Sequence, residues 1–188
     1  VNGIDEKNVT TEQRQSAKVV NFGIMYGAGP YRMSNELGIT MVEAKILIDQ
    51  YFHTYPGILR YMNETIEKAK KNGYVETLFN RKRWISNLNA SNKNLVRSEE
   101  RIAINMPIQG TAADLIKIAM INIHKRIKNE NYKSKMILQV HDELLFEAHK
   151  SEKDDIINLV TDEMEKAIKF KVPLKVDCNS GENWYEAH

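Results

Sequence analysis

RQSAKVVNFGIMY, residues 14–26, decides how this 188-residue chain is read. Within it Arg14, Lys18, Phe22 and Tyr26 recur every four residues. At 3.6 residues per turn each such step drifts by only ~40°, so the four side chains form one slowly winding stripe on a helix. The stripe runs ~18 Å, about the span of an extended nucleoside triphosphate. Two cations at its start suit phosphates, and the positive end of the helix dipole favours anions there too. Two rings further along suit a sugar and a base. A solvated helix edge running into a core gives the same spacing, so the stripe alone leaves both readings open.

Two further stretches bear on the choice. MILQVHDELLFEA, residues 136–148, has two apolar runs around His141, Asp142 and Glu143. This predicts a hairpin whose tip presents an imidazole and two carboxylates. Carboxylate oxygens suit Mg²⁺, which takes few protein ligands and completes its shell with water and substrate phosphates. A plain polar turn is the alternative, since Asp favours turns. In RIAINMPIQGTAADLIK, residues 101–117, Arg101, Asn105 and Gln109 share one helical face. These residue types hydrogen-bond phosphates, sugars and base edges. Pro107 and Gly110 predict a break or kink in that helix, and capping of the break is the other use for Asn105 and Gln109.

Together these stretches resemble the family A DNA polymerases, the group of bacterial DNA polymerase I. Arg-x3-Lys-x7-Tyr-Gly, with Phe22 four residues before Tyr26, is similar to the family's motif B, and QVHDE to its motif C. Residues 101–117 resemble the segment carrying N-x-P-x-Q-G-T-A-A-D, and the Trp-Tyr-Glu-Ala-His end resembles the family's C-terminus. Phage-type RNA polymerases share the outline of motif B but usually place Ser after the motif C Asp, so Glu143 favours a DNA polymerase.

The resemblance implies an α+β fold, a fragment of a right-hand polymerase. Helical fingers would occupy residues 1–72, and a palm portion with an antiparallel hairpin and packed helices residues 73–188. It implies transfer of dNMP from a dNTP to a primer 3′-hydroxyl, assisted by two Mg²⁺ ions. In the family's pattern Arg14 and Lys18 hold the triphosphate, and Lys18 protonates the departing pyrophosphate. Phe22 packs on the sugar and Tyr26 on the nascent base pair. Arg101, Asn105 and Gln109 approach the primer–template duplex. Asp142 ligates metal, while His141 and Glu143 sit at the primer end, Glu143 as a secondary metal partner. The family's other catalytic Asp belongs to motif A, upstream of motif B, and residues 1–13 do not contain that motif. The chain is therefore expected to be a C-terminal portion that needs an upstream polymerase region and is inactive alone.

Composition agrees with this class without selecting it. With 42% hydrophobic and 28% charged residues the chain reads as an ordinary soluble globular protein. It has no apolar run of membrane-spanning length and opens on no secretory signal. Its single cysteine, Cys178, excludes an intrachain disulfide and is consistent with the cytoplasm. Net charge is only +2, yet residues 60–101 hold ten Lys and Arg against five Asp and Glu. Within them Arg81-Lys82-Arg83 follows a strand-like stretch and precedes Trp84 and Ile85. This predicts a basic hairpin tip suited to backbone phosphates, or a solvated loop. The family usually has a Gly-Arg-Arg-type turn here followed by a Pro-containing stretch, whereas this chain has Asn80 and then WISNL.

Local signals punctuate the rest. A loop over residues 1–9 leads to a capping box, Thr10 with Gln13, and a helix ending near Tyr26. A short helix follows over residues 31–37, and Thr40 with Glu43 opens the next. Pro56 starts and Gly73 closes another. A helix over residues 94–128, broken near Pro107, precedes the hairpin. Ser151 and Asp154 start an amphipathic helix facing inward through Ile157, Val160, Met164 and Ile168. Residues 174–178 read as a last strand. Two rival functions are a non-catalytic DNA-binding module of polymerase shape and a metal-dependent nuclease. The nuclease should need three or more clustered carboxylates, and the sequence shows no obvious cluster.

Overall fold

The computed structural model describes residues 8–187. Most of the expected opening loop, residues 1–7, lies outside them. Helix α1 spans Thr11–Met25 and begins on the expected capping box. Gln13 N–H donates to the Thr10 hydroxyl at 3.2 Å, and Thr10 N–H to the Gln13 side chain at 3.0 Å. Helix α2, Pro30–Leu37, starts on proline and ends at Gly38 in the left-handed region. Helix α3, Met41–Thr54, repeats the box with Thr40 and Glu43. Helix α4, Pro56–Asn72, has proline at its start and left-handed Gly73 at its end. Val20 and Ile24 of α1, Met33 of α2, and Ala44 and Tyr51 of α3 close one core.

Strand β1, Tyr74–Glu76, pairs antiparallel with β2, Lys82–Trp84. This corrects the expected basic tip, because Lys82 and Arg83 lie in the strand. The Thr77 hydroxyl accepts the N–H groups of Phe79 and Arg81, both at 3.2 Å, and Asn80 takes φ 62°. Together they tighten the turn before Lys82. Val75, Ile85 and Leu88 join Ala69 and Ala103 in a second core.

Helix α5 runs unbroken from Lys93 to Asn129 with Pro107 inside it, so the expected break does not occur. Proline removes one N–H bond, but the turn before it is held from elsewhere. Ala103 and Ile104 are buried, and the Tyr61 hydroxyl donates to the Ile104 carbonyl at 2.8 Å. The chain forms two compact units that divide at Gln109 and Gly110.

In the second unit β3, Lys135–Val140, pairs antiparallel with β4, Glu143–Glu147. A 3₁₀ turn, Lys150–Glu152, leads into α6, Lys153–Glu165. Ala119 and Ile123 of α5 pack with Ile156, Leu159 and Val160 of α6. The expected inward face is thus corrected. Ile156 and Leu159 are buried where Ile157 is only half-buried, and α6 ends before Ile168. The last helix is α7, Trp184–Ala187. Residues 174–178 form no strand. Leu174 and Val176 are half-buried around exposed Lys175, but the Val176 N–H donates to Glu165 at 3.2 Å instead of to a ladder. The fold is α+β, with two small antiparallel sheets among helices. No helix of the described residues is long and apolar enough to cross a membrane.

Glu152 ties this unit together. Its carboxylate accepts from the Ser134 hydroxyl at 2.7 Å, from Ser134 N–H at 3.0 Å and from Lys133 N–H at 3.0 Å. The Ser134 hydroxyl bond above all holds the Glu152 pKa below its ordinary value of 4.5. A carboxyl depressed in the fold adds stability above its unfolded pKa and loses it as pH falls through the lower folded value. Glu152→Gln is therefore expected to lower Tm by a few degrees at pH 7. The gap should close in melts taken well below pH 4.5.

Candidate active site

The buried side of α1 carries Val20, Gly23 and Ile24, which leaves Arg14, Lys18, Phe22 and Tyr26 exposed. Among the described residues neither cation is held in an ion pair. The Phe22 and Tyr26 rings stack, with centroids 6.1 Å apart and planes 13° from parallel. Phe22 is 56% exposed and Tyr26 40%, so α1 offers solvent an ordered aromatic pair beyond two unpaired cations.

The helix stops where the backbone turns over. Gly27 N–H donates to the Ile24 carbonyl and Ala28 N–H to that of Gly23, with Gly27 at φ +73°. A Cβ on Gly27 would lie 2.8 Å from Cγ of Arg101. The absence of a side chain at 27 therefore lets the Arg101 stem cross beside the end of α1. A cleft of about 400 Å³ lies there, lined by Tyr26, Arg32, Ser98, Arg101, Ile102, Asn105 and Gln109. The structure thus brings the last ring of the first stretch together with all three polar residues read from residues 101–117.

Arg32 and Ser98 were not read from the sequence. Ser98 precedes Arg101 by one helical turn, a spacing that could have pointed to it. Arg32 carries no motif, and its ion pair with Glu36 at 2.7 Å looks like an ordinary surface pair. Gly27→Ala is expected to strain the left-handed backbone by ~1–2 kcal/mol and to displace Arg101 as well. Thermal melts should show a fall of several degrees. In an Arg101→Ala background only the backbone part of that loss should remain.

In the second unit His141 and Asp142 form a two-residue turn, with Glu143 opening β4 opposite Val140. All three are exposed. His141 takes φ 54°, and the Gln139 side-chain amide donates to its carbonyl at 2.9 Å. A positive φ at a non-glycine residue persists where its surroundings impose it, often at functional sites. Among the described residues no group of three or more His, Cys, Asp or Glu is placed to hold a metal ion. One or two carboxylate donors at an exposed turn fit the habit of Mg²⁺, which keeps water and phosphate oxygens in its shell. They do not make a closed site.

A family model described as DNA polymerase family A matches residues 1–186. The chain belongs to DNA polymerase family A. It is 50% identical to the DNA polymerase I of Caldicellulosiruptor bescii over 98% of this chain and 22% of that protein. Against the DNA polymerase I of Streptococcus pneumoniae it is 50% identical over 96% of this chain and 20% of that protein. The chain therefore spans about a fifth of the length of these curated relatives. Among solved structures it matches the POL domain of Pol1 from M. smegmatis, in complex with DNA primer-template and dNTP. The TM-score is 0.94 at 38% identity, covering 98% of this chain and 32% of that one. The α+β architecture is thus that of part of a family A polymerase domain.

Proposed function

We propose that this chain is the fingers, residues 1–72, and the C-terminal palm portion, residues 73–188, of a template-directed DNA polymerase. The enzyme would transfer dNMP from a dNTP to a primer 3′-hydroxyl. The observation that carries this reading is the meeting of Tyr26 with Arg101, Asn105 and Gln109 around one cleft, at the end of a helix bearing Arg14, Lys18 and Phe22. The likeness to a polymerase domain in complex with primer-template and dNTP supports it.

Arg14 and Lys18 then hold the triphosphate, since two unpaired cations one turn apart suit neighbouring phosphates. Lys18 gives a proton from Nζ to the departing pyrophosphate. Phe22 lies against the sugar and Tyr26 against the nascent base pair. Arg101, Asn105 and Gln109 bind the primer–template duplex, while His141 and Glu143 meet the primer end. Asp142, with Glu143 beside it, would hold Mg²⁺; two such ions, when bound, supply charge stabilisation at the attacking and leaving oxygens. The first catalytic Asp comes from an upstream polymerase region, which is a required partner.

The test is primer extension. The 188-residue chain with primed template, dNTPs and Mg²⁺ is expected to give no product. Supplying the upstream polymerase region, in one chain or in trans, should produce extension. Robust incorporation by the chain alone would show that another of its carboxylates completes the site. A complemented protein that binds primed DNA without extending it would identify a non-catalytic binding module instead.

A further inference from the structure

The β1–β2 hairpin carries a surface that the cleft does not use. Strand pairing sets Tyr74 opposite Trp84 and Glu76 opposite Lys82. Side chains alternate along a strand, so with Val75 turned into the core at 5% exposure these four share the other face. On it the Tyr74 and Trp84 rings meet edge to face, centroids 5.3 Å apart and planes at 71°. Lys82 Nζ lies 4.2 Å from the Tyr74 ring centroid. Trp84 is nonetheless 70% exposed, because the core beneath is already closed by Val75, Ile85 and Leu88. The result is an indole held in place by an aromatic neighbour, beside a fixed ammonium and open to solvent.

We propose that this face binds single-stranded DNA, with an unpaired base stacking on Trp84 and Lys82 drawing in a neighbouring phosphate. Charge argues for a polyanion. The hairpin sits within residues 60–101, where ten cations face five acids. Of those acids Glu100 is bonded to Lys70 and Glu99 to Asn87, and Glu76 is the one acid on the platform itself. Ring chemistry argues for a single strand over a duplex. Stacking on an aromatic side chain needs a free π-face, which paired and stacked bases do not present. The proposal does not depend on the catalytic roles above.

The chain has two tryptophans, Trp84 and Trp184, so in a Trp184→Phe protein the emission reports Trp84 alone. Oligo(dT) is expected to quench it saturably, and an equally long duplex to bind without quenching. Anisotropy of labelled oligo(dT) should show about tenfold weaker binding for Trp84→Ala, the scale of one lost stacked base. Trp84→Phe should recover most of that loss. Lys82→Gln should flatten the dependence of affinity on salt by roughly one phosphate contact.

Trp84 emission unmoved at oligo(dT) saturation would overturn the proposal. So would equal quenching by duplex, since the contact would then be electrostatic only. The emission readout needs no variant at Trp84, so misfolding of Trp84→Ala leaves it intact. Extension without oligo(dT) quenching removes this platform and spares the polymerase reading, and the reverse pattern does the opposite.

Discussion

In the completed polymerase, Asp142→Asn is expected to lower the single-turnover rate of primer extension by roughly three orders of magnitude. Primer–template affinity and thermal stability should stay near their starting values. The substitution exchanges a hard anionic oxygen donor for an amide of the same shape. Charge stabilisation at a metal-assisted phosphoryl transfer contributes several kcal/mol, and ~1.4 kcal/mol is a factor of ten in rate. Asp142 is exposed in a two-residue turn, and the strand register on either side pairs Val140 with Glu143 without it. The hairpin therefore has no structural need of the carboxylate. Glu143→Gln should cost less, because the proposed function puts that side chain mainly at the primer end. Rapid-quench measurement separates the outcomes: equal, mild losses for both would make the tip a turn and nothing more.

Phe22→Tyr is expected to reduce discrimination against dideoxynucleotides by about one to two orders of magnitude. In the proposed arrangement, with the ring against the sugar, a nucleotide lacking the 3′-hydroxyl leaves polar groups unpaired, and phenylalanine has no hydroxyl to replace it. An unmade buried hydrogen bond costs ~1–3 kcal/mol, which sets the size of the effect. The change should leave the fold alone, since Phe22 is 56% exposed and its ring contact is the stack with Tyr26. The ratio of dNTP to ddNTP incorporation efficiency in the completed enzyme is the measurement. An unchanged ratio would put Phe22 away from the sugar and break the assigned order of the α1 stripe.

Helix ends were readable because their causes are local. Thr10 with Gln13, Thr40 with Glu43, Pro56 and Gly73 each act within a turn of the boundary they set. What failed depended on distant partners. Pro107 does not end α5, because Tyr61 and a buried turn hold the helix. Residues 174–178 have the period-two burial of a strand, yet Glu165 takes the Val176 donor that a ladder would have used. The basic tip is the exception, moved into β2 by a local cause, the Thr77 hydroxyl that closes the turn early. Helical spacing likewise grouped Arg101, Asn105 and Gln109. Their meeting with Tyr26, and the entry of Arg32 and Ser98, belong to the tertiary fold.

The close approach of Gly27 to Arg101 also bears on how this protein recombines with its relatives. Among the described residues the first core draws only on Val19 to Ile58, so a crossover just after Ile58 transfers it whole. Such a chimera should fold, yet it takes its glycine from one parent and its arginine from the other. With 2.8 Å between a missing Cβ and the arginine stem, a bulkier residue at 27 in the parent that supplies α1 becomes incompatible with Arg101 from the other. Libraries shuffled between such polymerases should therefore inherit positions 27 and 101 as a pair, though a long stretch of sequence separates them.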